Sequence, residues 1–283
     1  MADVVVDGVR FNVVRMGPAD MAADGGPVPV ASSTPVVLIH GLIMDNLSSY
    51  YYTLAPAVAR HHDVVCYDLR GHGRSDRPPT GYRLEDAVGD LWGILDALGI
   101  EGPAHLVGNS FGGTIALAAA VLTPQRVAGL ALVEAHPAFE GWAEELGEEL
   151  EDLVDGFDGP GMREFLAGRA SRGVRRMART CEELVDECSM LDDFRASRLT
   201  APADLATVPC PALLVYGDLS DVLDRAFAVH EALPSSELHV VEGCSHSLLM
   251  ESPGEVERLV VPWLARQSPP GPSPDRVAGV RGR

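Results

Sequence analysis

Short, unbroken runs of Val, Leu and Ile alternate with helical stretches along most of this chain. "PVVLIH" (35–40), "DVVCYDL" (63–69), "AHLVGNS" (104–110), "VAGLALVEA" (127–135), "PALLVYGD" (211–218) and "SELHVVEG" (236–243) each read as a strand, and helical segments separate them. A strand that is apolar at nearly every position is covered on both faces. Strands alternating with helices call for a mostly parallel central sheet with right-handed crossovers and helices on both faces. The chain is therefore expected to be an α/β protein. "VVVDGVRFNVV" adds an N-terminal hairpin turning at Asp7-Gly8, a favoured two-residue turn. A Pro/Gly/Ala loop follows from about Gly17 to Pro35.

Residues 137–208 break the rhythm. They hold helical periodicity but no convincing strand, and a structureless loop of that length is improbable inside a compact fold. The expected organisation is a core of residues 1–136 and 209–266, an inserted helical cap at 137–208, and a Pro/Gly/Ser-rich tail at 267–283 without fixed structure.

Charge narrows the partners. The formal net charge of −19 argues against nucleic acid and against an anionic membrane, both of which attract basic surfaces. A small-molecule substrate remains, and the oligomeric state is not set by the sequence. Every Lys/Arg position is arginine, so a Schiff-base lysine, a Ser–Lys dyad and a P-loop lysine are all excluded. Cys66, Cys181, Cys188, Cys210 and Cys244 are scattered and form no CxxC pair, so neither a zinc site nor a disulfide framework is indicated. The N-terminus "MADVVVDGVRF" has no basic segment followed by an apolar core. No signal peptide is expected there, and a cytoplasmic location with reduced thiols follows.

"HLVGNSFGG" (105–113) carries the chemistry. It puts Ser110 between Gly108 and Gly112, with an apolar strand before it and the helical "TIALAAAVL" after it. Glycines two before and two after the serine remove side chains where a sharp strand–turn–helix bend crowds the backbone, and that bend lifts Oγ into the open. The helix N-terminus beyond Ser110 offers unpaired N–H groups and the positive end of a dipole. The spacing thus describes an exposed nucleophile beside an anion-stabilising helix end.

A serine hydroxyl needs a base. Of nine histidines, His246 in "EGCSHSLLMESP" has the right setting, a loop just past a strand and just before the last helix. The base in turn needs an acid to fix its tautomer and balance its charge. "LLVYGDLSDVLD" offers Asp218, Asp221 and Asp224, all in the chain order Ser…Asp…His. Asp218 directly abuts the strand and Asp224 falls on the following helix, which leaves Asp221 in the loop as the choice. Glu134, at the end of "LALVEA", competes from a neighbouring strand end. Charge developing on a carbonyl oxygen calls for two backbone donors. The N–H groups of Phe111, after the serine, and of Leu42, after His40-Gly41, are the candidates. No metal or organic cofactor is implied.

Taken together, "HGLIMD", "DLRGHGRSDRP", "VGNSFGG", "YGDLSDVL" and "CSHSLLMESP" resemble the α/β-hydrolase superfamily from about Pro35 to Leu264, apart from the cap. The resemblance implies Ser110 as nucleophile, Asp221 as acid, His246 as base and an oxyanion hole at Leu42 and Phe111. It treats "GHGRSD" as structural. A serine in the elbow sets the chain apart from epoxide hydrolases and haloalkane dehalogenases, which use aspartate there. "GNSFGG" is similar to the elbow of hydrolases that cleave carbon–carbon bonds of ring-fission products. Those usually carry a tryptophan after the catalytic histidine, where this chain has Ser247. The implied activity is hydrolysis of an ester, thioester or related acyl bond. The alternatives are a carbon–carbon bond hydrolase of a vinylogous diketone, a non-hydrolytic cyclase or transferase, and a ligand-binding receptor on the same fold.

Substrate selection is expected in the cap and in the loop after His40. Tyr50, Tyr51, Tyr52, Phe139, Trp142, Met162, Phe165, Met177 and Met190 are the apolar candidates. Six arginines between Arg163 and Arg179 are expected to neutralise the acidic run Glu140–Gly159.

Overall fold

A computed structural model of the chain describes residues 2–21, 34–157 and 159–267. Most of the loop expected at 17–35, and all of the expected tail but Gln267, lie outside the described residues.

Eight strands form one sheet in the order β1-β2-β4-β3-β5-β6-β7-β8. They are β1 (Ala2–Val6), β2 (Val9–Met16), β3 (Val36–Ile39), β4 (Val64–Tyr67), β5 (Ala104–Asn109), β6 (Val127–Val133), β7 (Ala212–Gly217) and β8 (Ser236–Val241). β1 and β2 form the antiparallel hairpin, and β2 meets β4 antiparallel. From β4 across to β8 all pairs are parallel. Asp7 (φ 48°) and Gly8 (φ 83°) both take the left-handed conformation that the two-residue hairpin turn demands.

The unbroken apolar runs have the cause inferred from them. Every residue of β3, β4 and β7 is buried, because helices cover both faces. Numbering the helices of six or more residues, these are α1 (Leu84–Ala97), α2 (Phe111–Leu122), α3 (Trp142–Phe157), α4 (Arg172–Asp186), α5 (Met190–Arg195), α6 (Leu223–Ala232) and α7 (Pro253–Gln267). One apolar layer includes α1 and α2, the other α7 with Trp263. The almost wholly apolar α2 fits this position, since "TIALAAA" is buried all round its circumference. Between β6 and β7 the chain runs through α3, α4 and α5 with shorter helical turns, and no strand lies there among the described residues. No helix among the described residues is long and apolar enough to cross a membrane.

Register makes the sheet a platform. Ile39 pairs with Gly108, Asn109 with Val133, Val133 with Val215, and Gly217 with Val241. The carboxyl ends of β3, β5, β6, β7 and β8 are therefore nearly flush, and the loops leaving them converge on one edge, where open parallel sheets bind ligands.

Candidate active site

Ser110 lies between β5 and α2 at φ 51°, ψ −119°. A non-glycine residue held there is strained by about 1–3 kcal/mol, a cost that persists only where the surroundings dictate the geometry. Here they do. A Cβ on Gly112 would overlap the Ile39 carbonyl, and one on Gly108 would overlap the Gly112 carbonyl. The two glycines let strand, turn and helix close on one another. The Ser110 N–H is tied to the Val133 carbonyl (2.9 Å) and its own carbonyl accepts from Gly113 N–H (2.9 Å). The side chain is left to project from the bend.

His246 reaches it from the loop after β8, with Nε2 3.0 Å from Ser110 Oγ. Of the other histidines, His105 lies at the far, N-terminal end of β5. His230 and His239 belong to α6 and β8, and His40 and His72 are buried under the loop after β3. His136 sits near His246 with its carbonyl accepting from Thr114 Oγ1 (2.5 Å), and burial foremost pushes its pKa down to about 4.

Two carboxylates face the other ring nitrogen. Glu134 Oε2 lies 3.5 Å from His246 Nδ1, and Asp221 Oδ1 lies 3.7 Å from it. Both separations exceed ordinary hydrogen-bonding range and act as charge contacts; Nδ1 has no hydrogen-bond partner among the described residues. The two acids differ sharply in setting. The Glu134 side chain is 0% exposed and that of Asp221 is 75% exposed. Glu134 is also fixed in place. Its Oε1 accepts the Gly217 N–H (2.6 Å) and its Oε2 the Ser220 hydroxyl (2.5 Å), while its backbone has φ 51°, the same strained hand as Ser110. Asp218 instead accepts the Gly243 N–H (2.6 Å), and Asp224 sits in the first turn of α6.

Burial works against the His246 imidazolium, but Glu134 above all, then Asp221 and Glu149, more than offset it. The net pKa lies above the ordinary imidazole value. Glu149 belongs to α3. Its side chain is exposed, and partial burial and the nearby Asp221 charge raise its own pKa, so this part of the acidic run lies near the site while still meeting solvent.

The residues expected to supply the two donors lie close to the serine. Phe111 is the first residue of α2, where an N–H has no acceptor within its own helix. The loop carrying Leu42 passes so close that a Cβ on Gly41 would sit 3.4 Å from Ser110 Cβ.

Around this edge the apolar candidates divide. Phe111 stacks with Trp142 (centroids 6.3 Å, interplanar 4°), and both meet Phe194 of α5 at 5.3 Å. Each such pair adds about 0.5–1.5 kcal/mol beyond the area it buries, so this aromatic cluster fastens α3 and α5 over the helix end beside Ser110. Only about 20 Å³ of space remains next to it, lined by Leu42, Phe111, Ile115, Tyr82, Met190 and Phe194. A roomier cavity of about 310 Å³ opens on the other side of the loop after β3, against Ile43, Asp45, Tyr51, Tyr52, Arg176 and Met177 of the loop and α4. Neither Ser110 nor His246 lines it; its link to them is Asp45, whose Oδ2 accepts the Gly41 N–H (2.8 Å). Tyr50 is wholly buried in the core, while Met162 and Phe165 are exposed. Phe194 was not among the apolar candidates, since a six-residue helix has too little periodicity to mark its buried face.

The expected pairing of Arg163–Arg179 with the acidic run is corrected for the arginines whose contacts are described. Arg176 donates to the Gly73 carbonyl and Arg179 pairs with Glu183 one turn along its own helix. The acidic run is met instead by Arg195 on Glu151 and by Arg225 on Glu145. A partner four residues away needs no ordering of a second element, which favours the local pair.

The profile of the alpha/beta hydrolase fold family matches residues 34–181. A 2-hydroxy-6-oxo-2,4-heptadienoate hydrolase of Pseudomonas putida is 31% identical over 262 residues, covering 84% of this chain and 91% of the relative. A 2-hydroxymuconate semialdehyde hydrolase of a Pseudomonas species is 29% identical over 93% of both chains. Among solved structures, Est816, described as an N-acyl homoserine lactone degrading enzyme, superposes with a TM-score of 0.66 at 25% identity, covering 92% of this chain and 98% of its own.

Proposed function

Since the chain belongs to the alpha/beta hydrolase family, we propose that it is a serine hydrolase of a small, partly apolar acyl compound. The observation that carries this reading is the 3.0 Å contact between His246 Nε2 and Ser110 Oγ at the strained elbow. Ser110 Oγ attacks the carbonyl carbon while His246 takes its proton. The oxyanion is held by the N–H groups of Leu42 and Phe111. His246 then gives the proton to the leaving oxygen or sulfur. Water, deprotonated by the same imidazole, releases the acid and regenerates the hydroxyl. Glu134 is the carboxylate that holds the imidazole, because it is buried and fixed by two hydrogen bonds. Asp221, exposed at the rim, adds charge. The helices of residues 137–208 act as a cap over the site, with Trp142 and Phe194 closing the space beside Phe111 to bulky acyl groups.

A second reading has its own support. The two relatives named above are hydrolases of dienoate or semialdehyde compounds, and cleavage of a carbon–carbon bond in a vinylogous diketone uses the same serine, base and donors. A substrate panel separates the two readings. Turnover of p-nitrophenyl esters from acetate to octanoate is measured beside that of a 2-hydroxy-6-oxo-dienoate. The acyl-bond reading expects turnover of the esters with a preference for short chains, and kcat/KM on the dienoate lower by at least about tenfold, or about 1.4 kcal/mol. A preference for the dienoate establishes the carbon–carbon alternative instead.

A further inference from the structure

The loop that carries the Leu42 N–H is tied at Gly41 by its own Asp45 (2.8 Å), but its most strained residue is held from outside. Ile43, next along, has φ 59°, a conformation that is a genuine outlier for a β-branched side chain. The Met44 N–H reaches back to the Leu42 carbonyl (2.8 Å), closing a γ-turn of the rarer, strained hand centred on Ile43. Such a turn needs an outside partner. The Ile43 N–H finds one at Nε2 of His72, 2.7 Å away. His72 comes from "GHGRSD", the motif after β4, and its side chain is buried.

The chemistry of that contact has one solution. His72 Nδ1 lies 2.8 Å from the Arg70 carbonyl, which only accepts, so Nδ1 carries the proton. Nε2 is then the acceptor that the Ile43 N–H requires. Burial, reinforced by neighbouring His40, pushes the pKa of His72 down to about 3, so the ring stays neutral and keeps its acceptor. His40 repeats the pattern one position before Gly41. Its Nδ1 is 2.6 Å from the Gly41 carbonyl and its Nε2 accepts the Leu69 N–H (2.9 Å). Two imidazoles with centroids 5.4 Å apart, each accepting a backbone N–H, thus bolt the turns after β3 and β4 together.

We infer that His72 is a positioning residue for the oxyanion hole: by accepting the Ile43 N–H it fixes the strained turn that presents the Leu42 N–H beside Ser110. The inference rests on the serine-hydrolase reading. A loop free to relax at Ile43 swings the neighbouring peptide away from the developing charge, and loss of one oxyanion donor costs about 10²–10³ in kcat.

Two substitutions isolate the contact. His72→Gln puts an amide oxygen near the place of Nε2 and keeps an acceptor for Ile43. His72→Asn reaches only as far as Nδ1, keeping the Arg70 bond and losing the other. Rates are taken per active site counted by fluorophosphonate titration, so any unfolded fraction drops out. His72→Asn is expected to lower kcat about 10–100-fold with KM nearly unchanged and to weaken a trifluoromethyl ketone, which binds as an oxyanion, in parallel. His72→Gln recovers most of both. Equal kcat in the two variants, or equal affinity for the ketone, overturns the inference. Nitrogen NMR of the wild type gives a test that requires no variant to fold. His72 is expected as the Nδ1–H tautomer across about pH 5–8, and the opposite tautomer contradicts it. A wild type that neither turns over nor is labelled fails at the earlier step and rejects the hydrolase reading itself.

Discussion

Replacing Ser110 by alanine is expected to lower kcat/KM on the best ester by about 10⁴-fold or more, with KM for any residual turnover little changed. The size follows from the division of labour. Removing Oγ deletes the attacking atom and the covalent intermediate, while the helix end at Phe111 and the loop at Leu42 stay in place, so a residual rate above that in water survives. The same substitution removes one contact of the hydroxyl, that with His246 Nε2, and leaves the backbone bonds of residue 110 to Val133 and Gly113 that hold the bend. The melting temperature is therefore expected to stay near that of the wild type. A loss of less than about tenfold would place the chemistry elsewhere.

The second large effect separates the two acids. Glu134→Gln is expected to cut kcat/KM about 10²–10⁴-fold, and Asp221→Asn less than about tenfold. Glutamine can still accept the Gly217 N–H, so the shape of the β6 end survives, but the charge facing Nδ1 is gone. Asp221 is screened by water at the rim. The pH profile supplies an independent reading. In the proposed mechanism the active form of His246 is neutral, so kcat/KM is expected to rise with pH through its pKa, and that pKa lies above the ordinary imidazole value chiefly because Glu134 outweighs the cost of burial. In Glu134→Gln the inflection moves to lower pH, since the imidazolium loses its main support. In Asp221→Asn the shift is smaller. A larger loss and a larger shift in Asp221→Asn would reverse the assignment.

The difference between these two carboxylates also shows where local sequence stops being informative. Ser110 and His246 stand out because each sits in a short motif whose strand-and-helix context is visible in the neighbouring residues. Asp221 fits the same logic, a carboxylate in a loop just past a strand. What distinguishes Glu134 is non-local. Its burial follows from β6 lying between β5 and β7. Its two hydrogen bonds come from Gly217 and Ser220, more than eighty residues away. Strand order and register create that meeting, and no window around "LVEA" contains it. His72 is a parallel case. "GHGRSD" reads as a turn, and its bond to Ile43 across 29 residues depends on β3 and β4 being neighbours. The parallel sheet is legible for the opposite reason, since burial on both faces stamps β3, β4 and β7 with an unbroken apolar run. Between β6 and β7 the signals are weakest. Periodicity marks α3 and α4 as helices, but the contact of Phe194 with Phe111 and the local pairing of Arg179 are settled by packing.

The measurement that bears most directly on the central claim is mass-spectrometric mapping of the protein after reaction with a fluorophosphonate, beside the His246→Ala variant. The account predicts one adduct, on the peptide containing Ser110, formed rapidly in the wild type and slowed by at least about 10³-fold without the imidazole. An unmodified wild type, or an adduct on a different serine, would contradict it.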